Sequence, residues 1–301
     1  MTNLRRLGRV QIAVVLLSGA VVSLLLIVAT IETTPTFHPG EDLRTYQKAG
    51  NALYTSGSPY SISVGRPEER QFRYPPLLAI LAPVLTIAPL WYALMVIGAA
   101  WPFVLAYRTA GPPGVALPIA LLGPTLHGLL GGNIQPLTNG MWAAVPFSPR
   151  WGPILLATIV WIKVWPVVSI LFWIGRGDWR SIYRFTWAAA LIGALQLPWL
   201  DDWIRYWLTP EAAFTRGGFA IQVLFGPTAW IVATIAVVVI AILAAKARWG
   251  WALTIVLHFV ADPRWFVPSL SSLVAALPVA PSTPKVAAEE RQSPVPDRGV
   301  R

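Results

Sequence analysis

Lys163, in the stretch TIVWIKVWPVV, is the only ionisable side chain between Arg150 and Arg176. A charged group in such apolar sequence is costly and by default marks a functional site. Pro166, three residues on, predicts a helix break, so that a second half-helix would begin beside the lysine with free backbone N–H groups. A cation next to a helix N-terminus is an anion site suited to phosphate. The plainer reading is a lysine snorkelling towards an interface.

Glu41 and Asp42 open the polar segment EDLRTYQKAGNALYTSGSPY. Adjacent carboxylates can hold a metal, or one can serve as general base towards a hydroxyl. Asp42 is also well placed to cap the helix that follows. Asp201 and Asp202, in WLDDWIRYW, form a rival pair with the same capping alternative. Asn133 and Gln135, in GGNIQP, are amides at a glycine-rich break; they either bind hydroxyls of a sugar or satisfy loosened backbone. Arg73 and Tyr74 precede a proline pair in QFRYPPLLAILAP, at the border between a polar loop and an apolar run. Proline is tolerated in the first turn of a helix, so this border predicts a helix start at a fixed place. His127 and His258 fall in apolar stretches, where packing roles are commoner than catalysis, and lack metal-ligand spacing.

The elements that hold these residues are membrane helices. The chain has 301 residues, of which 55% are hydrophobic and only 12% charged. Soluble domains carry roughly 25% charged residues, and the apolar runs here are continuous, unlike the alternation of a β-barrel. The reading is an all-α polytopic membrane protein with about 10 transmembrane, broken or re-entrant helices. Residues 1–280 form one integral domain, with extracytoplasmic loops at 32–74 and 201–226 and a disordered cytoplasmic tail at 281–301. Leu43, Tyr46, Ala49, Ala52 and Leu53 repeat at helical spacing and predict a helix lying along the membrane surface. Several runs are shorter than a bilayer, which fits half-helices enclosing a cavity.

The net charge of +10 sits in short clusters between apolar runs. That is the pattern of cytoplasmic loops rather than of a nucleic-acid surface. It places both termini and the GRGDWRSIYR loop inside, with Arg108 and Arg150. Splitting Pro75–Tyr107 into two spans would instead put those two arginines outside. Without cysteine there is neither a disulfide nor thiolate chemistry. No nucleotide-binding loop or zinc-protease motif appears.

Taken together, DLRTYQKAGNALYTSGSPY, FRYPPLLAILAPVLTIAPLWYA, GGNIQPL and IKVWPVVSILFWIGRGDWR resemble glycosyltransferase family 87, within the C-type membrane glycosyltransferases. The resemblance runs from about Asp42 to Arg180, with an echo at ADPRWFVPSL. It implies a plasma-membrane enzyme that takes a sugar, typically mannose, from a polyprenyl-phosphate donor to a lipid or glycan acceptor at the extracytoplasmic face. On that resemblance Asp42 is the general base, Lys163 with Arg73 holds the donor phosphate, and Glu41, Tyr46, Tyr74, Asn133 and Gln135 contact donor or acceptor. His127, His258, Asp201 and Asp202 are weaker candidates, and neither metal nor cofactor is invoked. The chain departs from the family in being shorter, in its rearranged amide motif, and in having Val267 where a histidine is expected. That leaves His258 as the residue it could rely on instead. Two other classes fit parts of the pattern. A transporter or lipid flippase also uses broken helices and a buried cation, although no repeated halves are visible here. A non-catalytic relative, acting as an assembly partner, fits the short length.

Overall fold

The computed structural model describes residues 8–33, 38–63, 72–208, 221–261 and 267–279. Within them every regular element is helical, as the apolar runs require. The expected tail at 281–301 lies outside the described residues, as do residues 209–220 of the second loop and ADPRW itself but for its alanine.

Helix α1 (Arg9–Thr33) is apolar on all sides and leaves Leu17 and Leu25 on the outer surface. Helix α2 (Glu41–Ser56) follows the predicted spacing, but its apolar stripe is not spread on a bilayer. Leu43, Tyr46, Ala49, Ala52 and Leu53 are buried inside the protein, much of that face against α3 (Pro76–Leu85). Tyr74, Pro75 and Pro76 set the start of α3 as the sequence predicted, with Pro76 in the first turn. The first N–H after the prolines, that of Leu77, donates to Oε1 of the fully buried Gln196 at 2.7 Å. Without that acceptor the helix start would leave a buried donor unsatisfied, at about 1–3 kcal/mol.

The chain breaks at Thr86–Ile87 and resumes as α4 (Ala88–Ala110). Then come α5 (Ala116–Ala120) and α6 (Leu122–Gly131), bent by 54° as a pair from Pro112 onwards. Helix α7 (Gln135–Ala144) crosses α4 in close contact. A methyl group on Gly98 would stand 2.4 Å from the Leu137 Cα, and one on Gly140 2.4 Å from the Gly98 carbonyl oxygen. Small residues let membrane helices approach this closely.

Helices α8 (Gly152–Ile162) and α9 (Ile170–Arg176) are separated at Lys163, where the expected break occurs. The basic GRGDWRSIYR segment is mostly helix rather than loop, because Asp178 caps α10 (Trp179–Ala194) by accepting from the Ser181 N–H. The stretch after it is likewise helical. Amphipathic α11 (Leu197–Leu208) packs on α3 and on the turn Pro59–Ser63, so the first part of the expected second loop is ordered helix. Helix α12 (Ile221–Ala244) kinks at Gly226, before Pro227, and α13 (Gly250–Ala261) returns beside it. The last expected span, Phe266–Ala280, is instead a 3₁₀ helix at Val267–Ala275. Its serines bond the amides of α7 rather than face lipid.

Among the described residues, three helices, within α1, α4 and α12, are long and apolar enough to cross a membrane, and up to four if the bent α5–α6 pair counts as one span. Helices α3, α8 and α13 and the 165–176 segment are apolar but shorter than a bilayer. Of the three buried cores among the described residues, two bear on the site. One gathers Tyr46, Phe72, Leu78, Trp91 and Ile134; the other gathers Trp142, Leu156, Trp251 and Ile255. The break at Lys163 falls where they meet.

Candidate functional site

The site begins at two backbone turns pressed together. Gly40, at φ 70°, precedes α2, and its N–H donates to the Leu130 carbonyl at 2.9 Å. Gly132, at φ 73°, ends α6, and a methyl group there would meet the Leu43 Cβ at 2.8 Å. Only glycine combines that backbone with that proximity. The buried Trp91 Nε1–H holds the second turn by donating to the Gly132 carbonyl at 3.0 Å.

These turns set Asn133 beside Asp42, and Asn133 Nδ2 donates to Asp42 Oδ2 at 2.8 Å. Asp42 is not the helix cap expected as its alternative role: Gly40 occupies that position, without a side-chain bond. Burial pushes the Asp42 carboxyl above its ordinary value. The Asn133 hydrogen bond and the Lys163 charge offset that in part, while Glu41 adds to it. Glu41 stands in the same first turn of α2.

Tyr74 closes this corner. Its hydroxyl accepts from the Tyr46 hydroxyl at 3.0 Å and lies 3.5 Å from Asn133 Nδ2. Its carbonyl accepts from the Tyr60 hydroxyl at 2.9 Å. Burial, with the nearby Asp42 charge, pushes the Tyr74 phenol up to about 12, so it stays a neutral donor and acceptor at physiological pH. Tyr46 is fully buried, edge-on to Tyr74 and tilted against Trp91.

Asn133 also links the carboxylate to the lysine. Its Oδ1 accepts from the Gln135 backbone N–H at 2.8 Å, which helps to start α7. The Gln135 side chain then receives Lys163 Nζ on Oε1 at 3.0 Å. Lys163 itself is the extended residue that terminates α8, at φ −138° and ψ 114°. On its other atom, Gln135 Nε2 donates to Ser271 Oγ at 2.9 Å, Ser272 Oγ at 3.0 Å and the Ser269 carbonyl at 3.3 Å. Asn139, one turn further along α7, donates to Ser271 Oγ at 3.1 Å.

A cavity of about 280 Å³ opens at this junction. Arg73, Tyr74, Gln135, Lys163 and His258 line it, with Trp142 and Trp165 as aromatic walls and Ser269 and Ser272 opposite. Among the described residues lining it there is no carboxylate. Asp42 and Asn133 are not part of the lining and stand behind Tyr74 and Gln135. Arg73 is partly buried beside the Tyr206 hydroxyl, and Tyr206 stacks on Tyr60. His258 is buried edge-on to Trp142, whose Nε1–H donates to Ser169 Oγ at 2.9 Å.

The remaining candidates lie elsewhere. Asp201 is engaged with Arg205 at 2.6 Å in an exposed i,i+4 pair, the ordinary arrangement of a solvated helix face. Asp202 neighbours Tyr60, and His127 is half-buried on α6; neither lines the cavity. Sequence reasoning missed Asn139, Ser269, Ser271, Ser272 and Gln196. A signal existed for one of them, since Asn139 follows Gln135 by four residues and so shares its helix face. Among the described residues no three His, Asp or Glu side chains converge as metal ligands do. Compared with known proteins, the chain matches no family description, no curated protein and no solved structure.

Proposed function

We propose that the chain is a membrane glycosyltransferase that moves a hexosyl group, mannose by its resemblance to family 87, from a polyprenyl phosphate to a lipid or glycan hydroxyl. One observation carries this reading: a cavity lined by Arg73, Lys163 and His258, with a carboxylate one amide beyond it. A cationic, hydroxyl-lined cavity suits a phosphate attached to a sugar. Its volume lies just under the ~300–1,000 Å³ typical of drug-sized ligands, so it admits the sugar and phosphate and leaves the polyprenyl tail along the apolar exterior.

In the reaction, Asp42 accepts the proton of the acceptor hydroxyl as that oxygen attacks the anomeric carbon. The bond from that carbon to the phosphate oxygen breaks, and its electrons leave with the polyprenyl phosphate. Lys163 and Arg73 offset the charge that develops there. One displacement inverts the anomeric centre, so a β-linked donor gives an α-linked product. The fold that goes with this reading is C-type, with about 10 crossing or re-entrant helices. Its termini are cytoplasmic and its site extracytoplasmic, in the plasma membrane.

The test is sugar transfer by purified protein in nanodiscs, given labelled polyprenyl-phosphate mannose and membrane lipids. Asp42→Asn is expected to slow transfer by about 10²–10⁴-fold, the usual contribution of a general base, while donor binding persists. Transfer that survives this change removes Asp42 as the base. A second reading follows from Asp42 lying behind Tyr74 and Gln135 rather than in the cavity wall. In it the protein binds a lipid phosphate sugar without transferring it, and the same assay gives binding with no product.

A further inference from the structure

Phe72, Arg73 and Tyr74, the residues that lead into the proline pair, are anchored on two tyrosines from other elements. Tyr60, buried in the turn Pro59–Ser63, donates through its hydroxyl to the Tyr74 carbonyl at 2.9 Å. Its ring lies 5.7 Å from that of the fully buried Phe72, tilted by 43°. The same ring stacks on Tyr206 of α11, at 5.5 Å between centroids and 19° between planes. The Tyr206 hydroxyl in turn hydrogen-bonds the Arg73 side chain. A guanidinium can only donate, so the tyrosine oxygen is the acceptor. Each of the three residues therefore has a hold on the Tyr60–Tyr206 pair.

Arg73 and Tyr74 line the cavity, whereas no described residue of α11 does. Tyr206 thus bears on the cavity through the arginine. Ordering a loose, rotamer-rich side chain on binding costs about two- to tenfold in affinity. A neutral phenol that orders Arg73 beforehand removes that cost without bringing a charge to the site. With five N–H donors, the guanidinium can serve Tyr206 and still offer a fork to an oxyanion.

We infer that Tyr206 is a positioning residue: seated by its stack on Tyr60, it holds the Arg73 guanidinium at the cavity wall ready for the phosphate group of the ligand. This makes α11 part of the binding site although it does not touch the cavity, and it rests on the reading of Arg73 as a phosphate holder. Phosphate borne by a lipid and free phosphate share this chemistry.

The experiment titrates full-length protein in neutral nanodiscs with farnesyl phosphate and, separately, with inorganic phosphate, followed by ³¹P NMR. Wild type is compared with Tyr206→Phe, Arg73→Gln and the double variant. Tyr206→Phe keeps the ring that stacks on Tyr60 and loses only the oxygen. It is expected to weaken both ligands by about two- to tenfold, the cost of ordering a loose arginine. Arg73→Gln is expected to weaken them by about tenfold or more. Adding Tyr206→Phe to Arg73→Gln should then cost nothing further, because there is no guanidinium left to position. A Tyr206→Phe loss of equal size in both backgrounds, which a merely structural role produces, overturns the inference. So does a loss confined to farnesyl phosphate, or a silent Tyr206→Phe beside a weakened Arg73→Gln. If Arg73→Gln binds like wild type, or wild type binds neither ligand, the phosphate reading itself fails and the inference falls with it, a result distinct from a silent Tyr206→Phe alone.

Discussion

Asn133 Nδ2 reaches Asp42 Oδ2 at 2.8 Å across 91 positions of sequence. This bond partly offsets the effect of burial on the Asp42 carboxyl, which remains above its ordinary value. A general base must be ionised, so transfer should rise with pH through that elevated value. Asn133→Ala removes a stabilising donor and is expected to move this acid limb to higher pH. The check is the pH profile of kcat/KM for both proteins; coincident limbs would remove the Asn133 bond from the account.

The same carboxyl bears on stability, with the opposite sense from a salt-bridged aspartate. Its folded-state value is raised, so the folded protein holds a proton that the unfolded chain releases. The resulting stabilisation is complete below the ordinary value of 3.8 and is lost as pH climbs through the folded value. Above that range Asp42→Asn carries no buried charge. It is expected to unfold at a temperature no lower than wild type at pH 7, while losing that advantage at acidic pH. Thermal unfolding in detergent across pH reads the difference.

Gly132→Ala should be severe for so small a change. The residue sits at φ 73°, where a Cβ costs about 1–2 kcal/mol, and the new methyl group would press on the Leu43 Cβ at 2.8 Å. With the overpacking included, the expected loss is about 2–4 kcal/mol. The turn carries Asn133, so the acid limb should also shift as in Asn133→Ala. A lower Tm with an unmoved limb would separate the turn from the carboxylate.

Gln196→Leu keeps the bulk of the side chain and removes the acceptor for the Leu77 N–H. A buried unsatisfied donor predicts a loss of about 1–3 kcal/mol. The YPPL border is anchored there, so Arg73 and Tyr74 should loosen and the donor KM rise more than kcat falls. Hydrogen exchange at Leu77 and Leu78 reports the loosening directly.

Much of this was legible where local chemistry decides. Pro166 marked the break at Lys163, Pro75–Pro76 fixed the start of α3, and helical spacing marked the buried face of α2. What stayed hidden depends on partners distant in sequence. Gln196 reads as an ordinary polar residue near a helix end, yet it serves a helix start 119 positions earlier. The serines of 267–275 read as polar interruptions of a span until α7 supplies their donors. Periodicity also could not distinguish an apolar stripe facing lipid from one facing α3, because both bury the same residues. Asp178 reads as part of a basic loop, although its capping position extends α10 back to the basic cluster.

The short helix α8 has an electrical consequence. It starts beside Arg150 and spans 11 residues, about 16 Å at 1.5 Å per residue, to reach Lys163. That is about half the ~30 Å hydrocarbon thickness of a bilayer. On the sidedness proposed above, a phosphate seated on Lys163 has come part of the way through the transmembrane field, towards the negative interior. Each negative charge then opposes up to about 1 kcal/mol per 100 mV, half of the full-crossing value. Donor affinity in sealed vesicles should weaken when a potassium gradient with valinomycin makes the interior negative, so the energised state of the cell would itself regulate how readily this protein loads its ligand.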